Sequence, residues 1–147
     1  MVENVTIENI CQLFDGFKVD YKNEDDNQIL FTLNANKNFP HDLQVRIVID
    51  NQWMKVYAIP DDFNISIGDS ADYLLAVNHY NTWKCGGKAS LMIIKEINMI
   101  TLKMETIFYL SGPVSVDYIV EGCIKYSIGE IREFFNTIDD CKAEVLK

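Results

Sequence analysis

One hundred and forty-seven residues, 48% hydrophobic and 24% charged, make an ordinary globular chain and exclude a disordered or fibrous one. That length fits a single domain over residues 1–147, able to bury roughly 70% of its unfolded surface without a staple. Thirteen basic against 22 acidic side chains, a net of −9, argue against nucleic acid as a partner, and no stretch nears the ~18 apolar residues of a membrane span.

The charge is uneven: residues 1–73 hold 13 acidic and 5 basic side chains, whereas residues 74–147 hold 9 and 8. Glu24-Asp25-Asp26, Asp61-Asp62, and Asp69 with Asp72 gather among turn formers. They read as a solvated, self-repelling surface, with a docking face for a basic partner as the alternative. The opening MVENVTIENI carries two Glu and no basic residue, so a secretory leader is not expected and a cytoplasmic location is. In that compartment Cys11, Cys85, Cys123 and Cys141, none in a CxxC pair, are expected to be free thiols, with no metal and no cofactor.

In chain order, Val5, Ile7, Ile10, Cys11 and Phe14 share one helical face, with Gly16 as a stop. Alternation of Phe17, Val19 and Tyr21 with polar residues predicts a strand before the turn at 23–27, and Ile29, Phe31 and Leu33 predict its hairpin partner. The run 36–40 breaks the pattern. Leu43 to Ile49 and Trp53 to Ala58 are strands around an Asp50-Asn51 turn, and Pro60 to Gly68 is loop. A second helix capped by the side chain of Asp69 or Ser70 runs to about Trp83 and ends at Gly86-Gly87. Ala89 to Lys95 and Met99 to Leu110 form a hairpin, the latter with Thr101, Lys103 and Glu105 on a wet face. Ser115 to about Cys141 reads as one long amphipathic α-helix. The fold class is therefore α+β: an antiparallel sheet meander with helices on one face, in the order α-β-β-β-β-α-β-β-α.

Reactive material is scarce. No phosphate-cradling glycine loop is present, and Gly86-Gly87-Lys88 precedes a strand rather than a helix. His41 and His79 stand apart from any nucleophile signature and read as surface or capping residues. Asp62-x-Asn64-x-Ser66 opens like a calcium loop, but Ile67 replaces the turn glycine and Tyr73 the bidentate Glu. Adjacent acids such as Asp61-Asp62 and Asp139-Asp140 diverge rather than share a proton. No enzymatic activity is expected. Gly122 and Gly129, seven apart inside the last helix, suggest either close approach of the sheet or a second copy, or a tolerated bend.

From the second helix onward, several short elements resemble the YbjN-like domain, a family of candidate bacterial sensory transduction regulators. Val77-Asn78-His79-Tyr80-Asn81 resembles its Asn-x-x-Asn signature. Gly87-Lys88-Ala89 is similar to its strand-opening segment, and Leu110-Ser111-Gly112-Pro113-Val114-Ser115 to its step into the final helix. Pro113 stands where glycine is usual, and Gly86 where an aromatic is common. The resemblance implies a fold like that of type III secretion chaperones, small proteins that bind polypeptide segments and often dimerise. It brings no catalytic site. Asn78, Asn81, Gly87, Gly112 and Ser115 are the motif residues; Asn78 and Asn81 read either as ties between helix and strand backbone or as ligand contacts. Gly122, Gly129, Ile131, Phe134 and Phe135 form a candidate helix-packing or partner face. The function expected is non-enzymatic binding of another polypeptide, a second copy included, with no nucleic-acid or membrane partner. The alternative is a small-molecule domain with an apolar pocket between helix and sheet.

Overall fold

In the computed structural model, which describes residues 1–84 and 86–147, Thr6 opens the first helix, α1 (Ile7–Gly16). Its hydroxyl accepts the Asn9 amide at 3.3 Å while Asn9 Oδ1 accepts the Thr6 amide at 2.9 Å, a reciprocal capping box. Ile7, Ile10 and Phe14 are buried. The helix ends at Gly16 as expected, but the left-handed residue of its exit lies two positions later. Lys18 takes the left-handed conformation (φ 57°), its amide bonds Asp15 O at 3.1 Å, and the Val19 amide reaches back to Phe14 O at 2.9 Å. These two bonds close the helix as a Schellman motif, so Phe17 and Val19 belong to a helix exit rather than to the expected strand. The first strand, β1 (Lys22–Asp25), instead occupies the expected turn. The turn itself is tightened because the Asp25 carboxylate accepts from the Asn27 amide and Gln28 Nε2 at 2.9 and 2.6 Å, contacts that hold this carboxyl below its ordinary range, Gln28 contributing most.

Strands β2 (Gln28–Leu33), β3 (Leu43–Asp50) and β4 (Trp53–Pro60) continue the meander, with Ile29, Phe31, Leu43, Val45, Ile47, Met54, Val56 and Ala58 all turned into the core. Pro60 is the last residue of β4, paired with Leu43, not the first residue of the loop. Helix α2 (Ser70–Trp83) then crosses to β5 (Lys88–Ile94) and β6 (Met99–Tyr109). The caps expected for α2 are absent. Asp69 accepts the Ser66 hydroxyl at 3.0 Å and Ser70 donates to Ile67 O at 2.7 Å, so both side chains serve the 3-10 turn Ile67–Asp69. Because β6 rather than β5 pairs with β4, the sheet order is β1-β2-β3-β4-β6-β5, every neighbour antiparallel. The α+β class and element order are those read from the sequence.

The last helix departs from expectation over its first two turns. The Ser115 hydroxyl accepts the Tyr118 amide at 3.1 Å, and Tyr118–Lys125 then winds as a π-helix before α3 (Tyr126–Val145) continues regularly. The wider turn puts Ile119 and Ile124, five residues apart, on the buried side together with Cys123. Downstream, Ile131, Phe134, Phe135 and Ile138 are fully buried over β4 and β6 and against α2. Ser127, also buried, pairs with the Thr106 hydroxyl at 2.7 Å and donates to Cys123 O at 2.6 Å, which satisfies a polar group that would otherwise be costly under a helix. Thr101, expected on the wet face, is buried because its hydroxyl donates to Phe63 O at 2.7 Å in the loop covering that end of β6.

Candidate functional site

The most apolar concavity lies where α1 ends. Leu13, Phe14, Phe17, Val19 and Phe31 form one wall, and Val120, Ile124, Lys125 and Ile128 of the last helix form the other, around a cavity of about 270 Å³. The local reasons are separate for each wall. The Schellman exit puts Phe14 and Val19 together, the hydrophobic contact that usually accompanies this motif, and leaves Phe17 63% and Val19 39% exposed. Tyr21 pins this arm by donating its hydroxyl to Asp15 at 2.9 Å, and that bond, with some burial, pushes the phenol up to about 12. On the far side, the π-helical winding brings Val120 and Ile124 to the groove while keeping Ile119 and Cys123 in the core. Lys125 marks the rim, its Nζ held at 2.7 Å by Glu121 one turn earlier.

Such a lining can do one thing chemically: remove apolar surface from water, with one cation at its edge to orient a partner. Cys123 is turned inward, and burial pushes its thiol up to about 11, a protonated and unreactive state near neutral pH. Among the described residues, no group of three or more metal-ligating side chains converges. Cys11, Cys123 and Cys141 are unpaired; Cys85 lies outside the described residues.

Of the motif residues, Asn81, Gly87, Gly112 and Ser115 hold a strand start at the opposite end of the sheet and the turn into the last helix, whereas Asn78 does not. Asn81 Nδ2 donates to Ala89 O at 2.9 Å and Asn81 Oδ1 accepts the Ala89 amide at 3.0 Å. One carboxamide thus saturates both backbone groups of a β5 residue, as a neighbouring strand would. Asn78 takes no part in this tie; it is exposed and its carbonyl accepts the Thr82 hydroxyl. A Cβ on Gly87 would come within 2.9 Å of Glu105 O and 3.1 Å of Thr106 Cγ2, so only glycine lets β5 start against β6. Gly112 supplies a left-handed turn (φ 74°), and Ser115 caps the helix that follows. Gly122 is approached by the ring of Tyr118, four residues earlier on the same helix; Gly129 has open space where a Cβ would go. Ile131, Phe134 and Phe135 are spent on the intramolecular core.

Of the groove residues, the sequence places Phe17 and Val19 on a strand and Val120 on the apolar face of the last helix, and Lys125 carries no signal of its own.

No family model and no curated protein matches this chain. Among solved structures, the chain resembles YbjN from E. coli, described as a candidate transcription regulator, with a TM-score of 0.72 at 11% identity over 92% of this chain and 93% of that one. Nearly the whole of both chains superimposes, and the fold of this protein is therefore the YbjN-like fold.

Proposed function

We propose that this protein is a non-enzymatic binding module that holds an apolar segment of another polypeptide in the groove between the α1 exit and the last helix. The observation that carries the reading is the lip: Phe17 stands largely and Val19 partly in solvent beside an apolar trough, fixed there by hydrogen bonds of the helix exit. A side chain of 63% exposure adds little to folding, so its apolar character supports contact with something outside the chain. The trough is partly open to solvent beside the Phe17 lip, which suits the side chains of a docked helix or extended segment. The acidic surface of residues 1–73 favours segments flanked by basic residues, and their attraction weakens with salt.

A cellulose-bound library of amphipathic peptides, with and without flanking Lys and Arg, tests this. Basic-flanked peptides with two or three spaced apolar residues are expected to bind, and Phe17→Ser with Val19→Ser to reduce that binding at least about tenfold, the effect of losing two apolar contacts. Absence of binding to any peptide would overturn the reading. A second reading has its own observation: about 270 Å³ with one cation at the rim also matches an acyl-like small molecule. Native mass spectrometry showing a stoichiometric small molecule retained on the protein, lost in the Phe17→Ser variant, would favour it.

A further inference from the structure

We propose that the outward face of the sheet, along β4 and β6, is a platform for single-stranded nucleic acid. The net of −9 that argues against such a partner is a sum over the whole chain, and this face departs from it. The platform is independent of the groove, which lies on the helix-covered side.

Alternation places the face. Met54, Val56 and Ala58 turn into the core, so Trp53, Lys55 and Tyr57 point to the other side. The register carries that side across the sheet: Trp53 pairs with Tyr109, Lys55 with Ile107, Tyr57 with Glu105, and Glu105 with Lys88. Trp53, Ile107 and Tyr109 are each more than half exposed.

One end of this track is a stacking surface. The Trp53 and Tyr109 rings meet at 4.9 Å, and the Tyr109 hydroxyl donates to Gln52 Oε1 at 2.6 Å, which fixes its ring. Beside them Val48, Asp50, Trp53, Lys55 and Ile107 line a hollow of about 390 Å³. Every base offers a π face to an exposed indole. Asp50, the carboxylate of the hollow, is an acceptor for the amino group of a base such as cytosine.

The other end is a cation cluster. Glu105 lies 3.3 Å from Lys103 Nζ and 4.0 Å from Lys55 Nζ, and Lys88 stands opposite it on β5. Three lysines share one carboxylate, which leaves a local excess of positive charge. Lys103 also sits over the Tyr57 ring, 4.6 Å from its centre. Arg46 on β3 is already bound by Glu24 of β1 at 3.2 Å, so the acids of β1 set the limit of the platform on that side. They are three strands from β4, about 14 Å at ~4.8 Å per strand, beyond the ~8 Å Debye length of physiological salt.

Length and chemistry together select the occupant. Tyr109 and Lys103 are six residues apart on β6, about 20 Å at roughly 3.4 Å per residue, a track for several nucleotides rather than one. A single strand brings bases to the aromatic end and phosphates to the lysines. An acidic polypeptide brings the charge without the row of flat rings.

Fluorescence anisotropy of a labelled oligo-dC of about twelve nucleotides, titrated with the full chain at about 0.15 M salt, tests the proposal. Saturable binding is expected, with quenching of Trp53 emission in Trp83→Phe protein, where Trp53 is the remaining tryptophan. Trp53→Ala should weaken binding about tenfold, the loss of one stacked base. Lys55→Glu and Lys103→Glu should each weaken it about tenfold, whereas Glu105→Gln, which frees the three lysines, should strengthen it about threefold. Thermal midpoints check that each variant is folded, and Phe17→Ser, in the groove, should leave binding intact. Polyglutamate and cytidine monophosphate should bind at least about tenfold more weakly than the oligonucleotide. No binding at about 100 μM protein, the weak limit of non-specific nucleic-acid affinity, would overturn the proposal. So would full affinity in folded Trp53→Ala, polyglutamate binding as tightly, which would give the face to an acidic polypeptide, or the mononucleotide binding as tightly, which would give it to a small ligand.

Discussion

The two ends of the sheet are built on opposite terms. At the β5 end, the start of the strand is locked by fits that tolerate one residue type each: the Asn81 carboxamide on Ala89, and Gly87 against the Glu105 carbonyl. At the α1 end, the lock is in the backbone alone. The Schellman bonds and the Tyr21–Asp15 contact hold the chain, while the side chains they present, Phe17 and Val19, are left without cover. The difference teaches where sequence changes should cost stability and where they should cost binding. Asn81 and Gly87 are stability devices here; the exposed groove residues Phe17 and Val19 belong to no motif and have little to do in the fold.

Four substitutions sharpen that contrast, beginning with the region both ends share. Phe134, fully buried and edge-on to Tyr80 and Phe135 at 4.9 Å, anchors α3 beneath the whole sheet. Phe134→Ala should cost about 3–5 kcal/mol in urea unfolding, with both ends lost in one transition. Gly87→Val should cost about 1–3 kcal/mol, because the Glu105 carbonyl is backbone and cannot give way. Asn81→Ala leaves two backbone groups of Ala89 without a partner, about 1–2 kcal/mol, and hydrogen exchange at Ala89 should speed up while Val19 is unaffected. Phe17→Ser, at the other end, should stay within about 0.5 kcal/mol of wild type. A loss at Phe17 as large as that at Gly87 would erase the distinction.

Cys123 provides a titration beneath the groove's far wall. Its thiol is raised by burial from an ordinary 9.0 to about 11, so the neutral form is favoured in the folded state. The stability this contributes is fully present below pH 9 and is lost as pH rises toward 11. Thermal midpoints should fall across that window in wild type and less in Cys123→Ala. At pH 8, Ellman's reagent should leave Cys123 unmodified until the chain unfolds.

Much of this fold is legible in the sequence because most elements obey one period. β2, β3 and β4 alternate cleanly, and the apolar steps of α3 from Ile128 to Ile138 are regular. The departures share a cause: hydrogen bonds that override period. Phe17-Lys18-Val19 alternates like a strand, but the carbonyls of Phe14 and Asp15 capture its amides. Ile119 to Ile124 reads as α-helix because the π-helical turn alters spacing by a single residue, within the tolerance of any apolar stripe. Asp69 and Ser70 have the chemistry of a cap, yet the 3-10 turn before them uses it first. The groove was hidden for the same reason, since each of its walls is one of these departures.

The most direct test of the groove is an NMR titration of the full chain with a basic-flanked amphipathic peptide that follows every backbone amide. The account predicts saturable shifts confined to residues 13–19, Phe31 with its β2 neighbours, and 120–128, abolished by Phe17→Ser, with the β5 and α2 amides unmoved. Shifts centred instead on Trp53, Ile107 and Tyr109, exposed apolar side chains of β4 and β6, would contradict it.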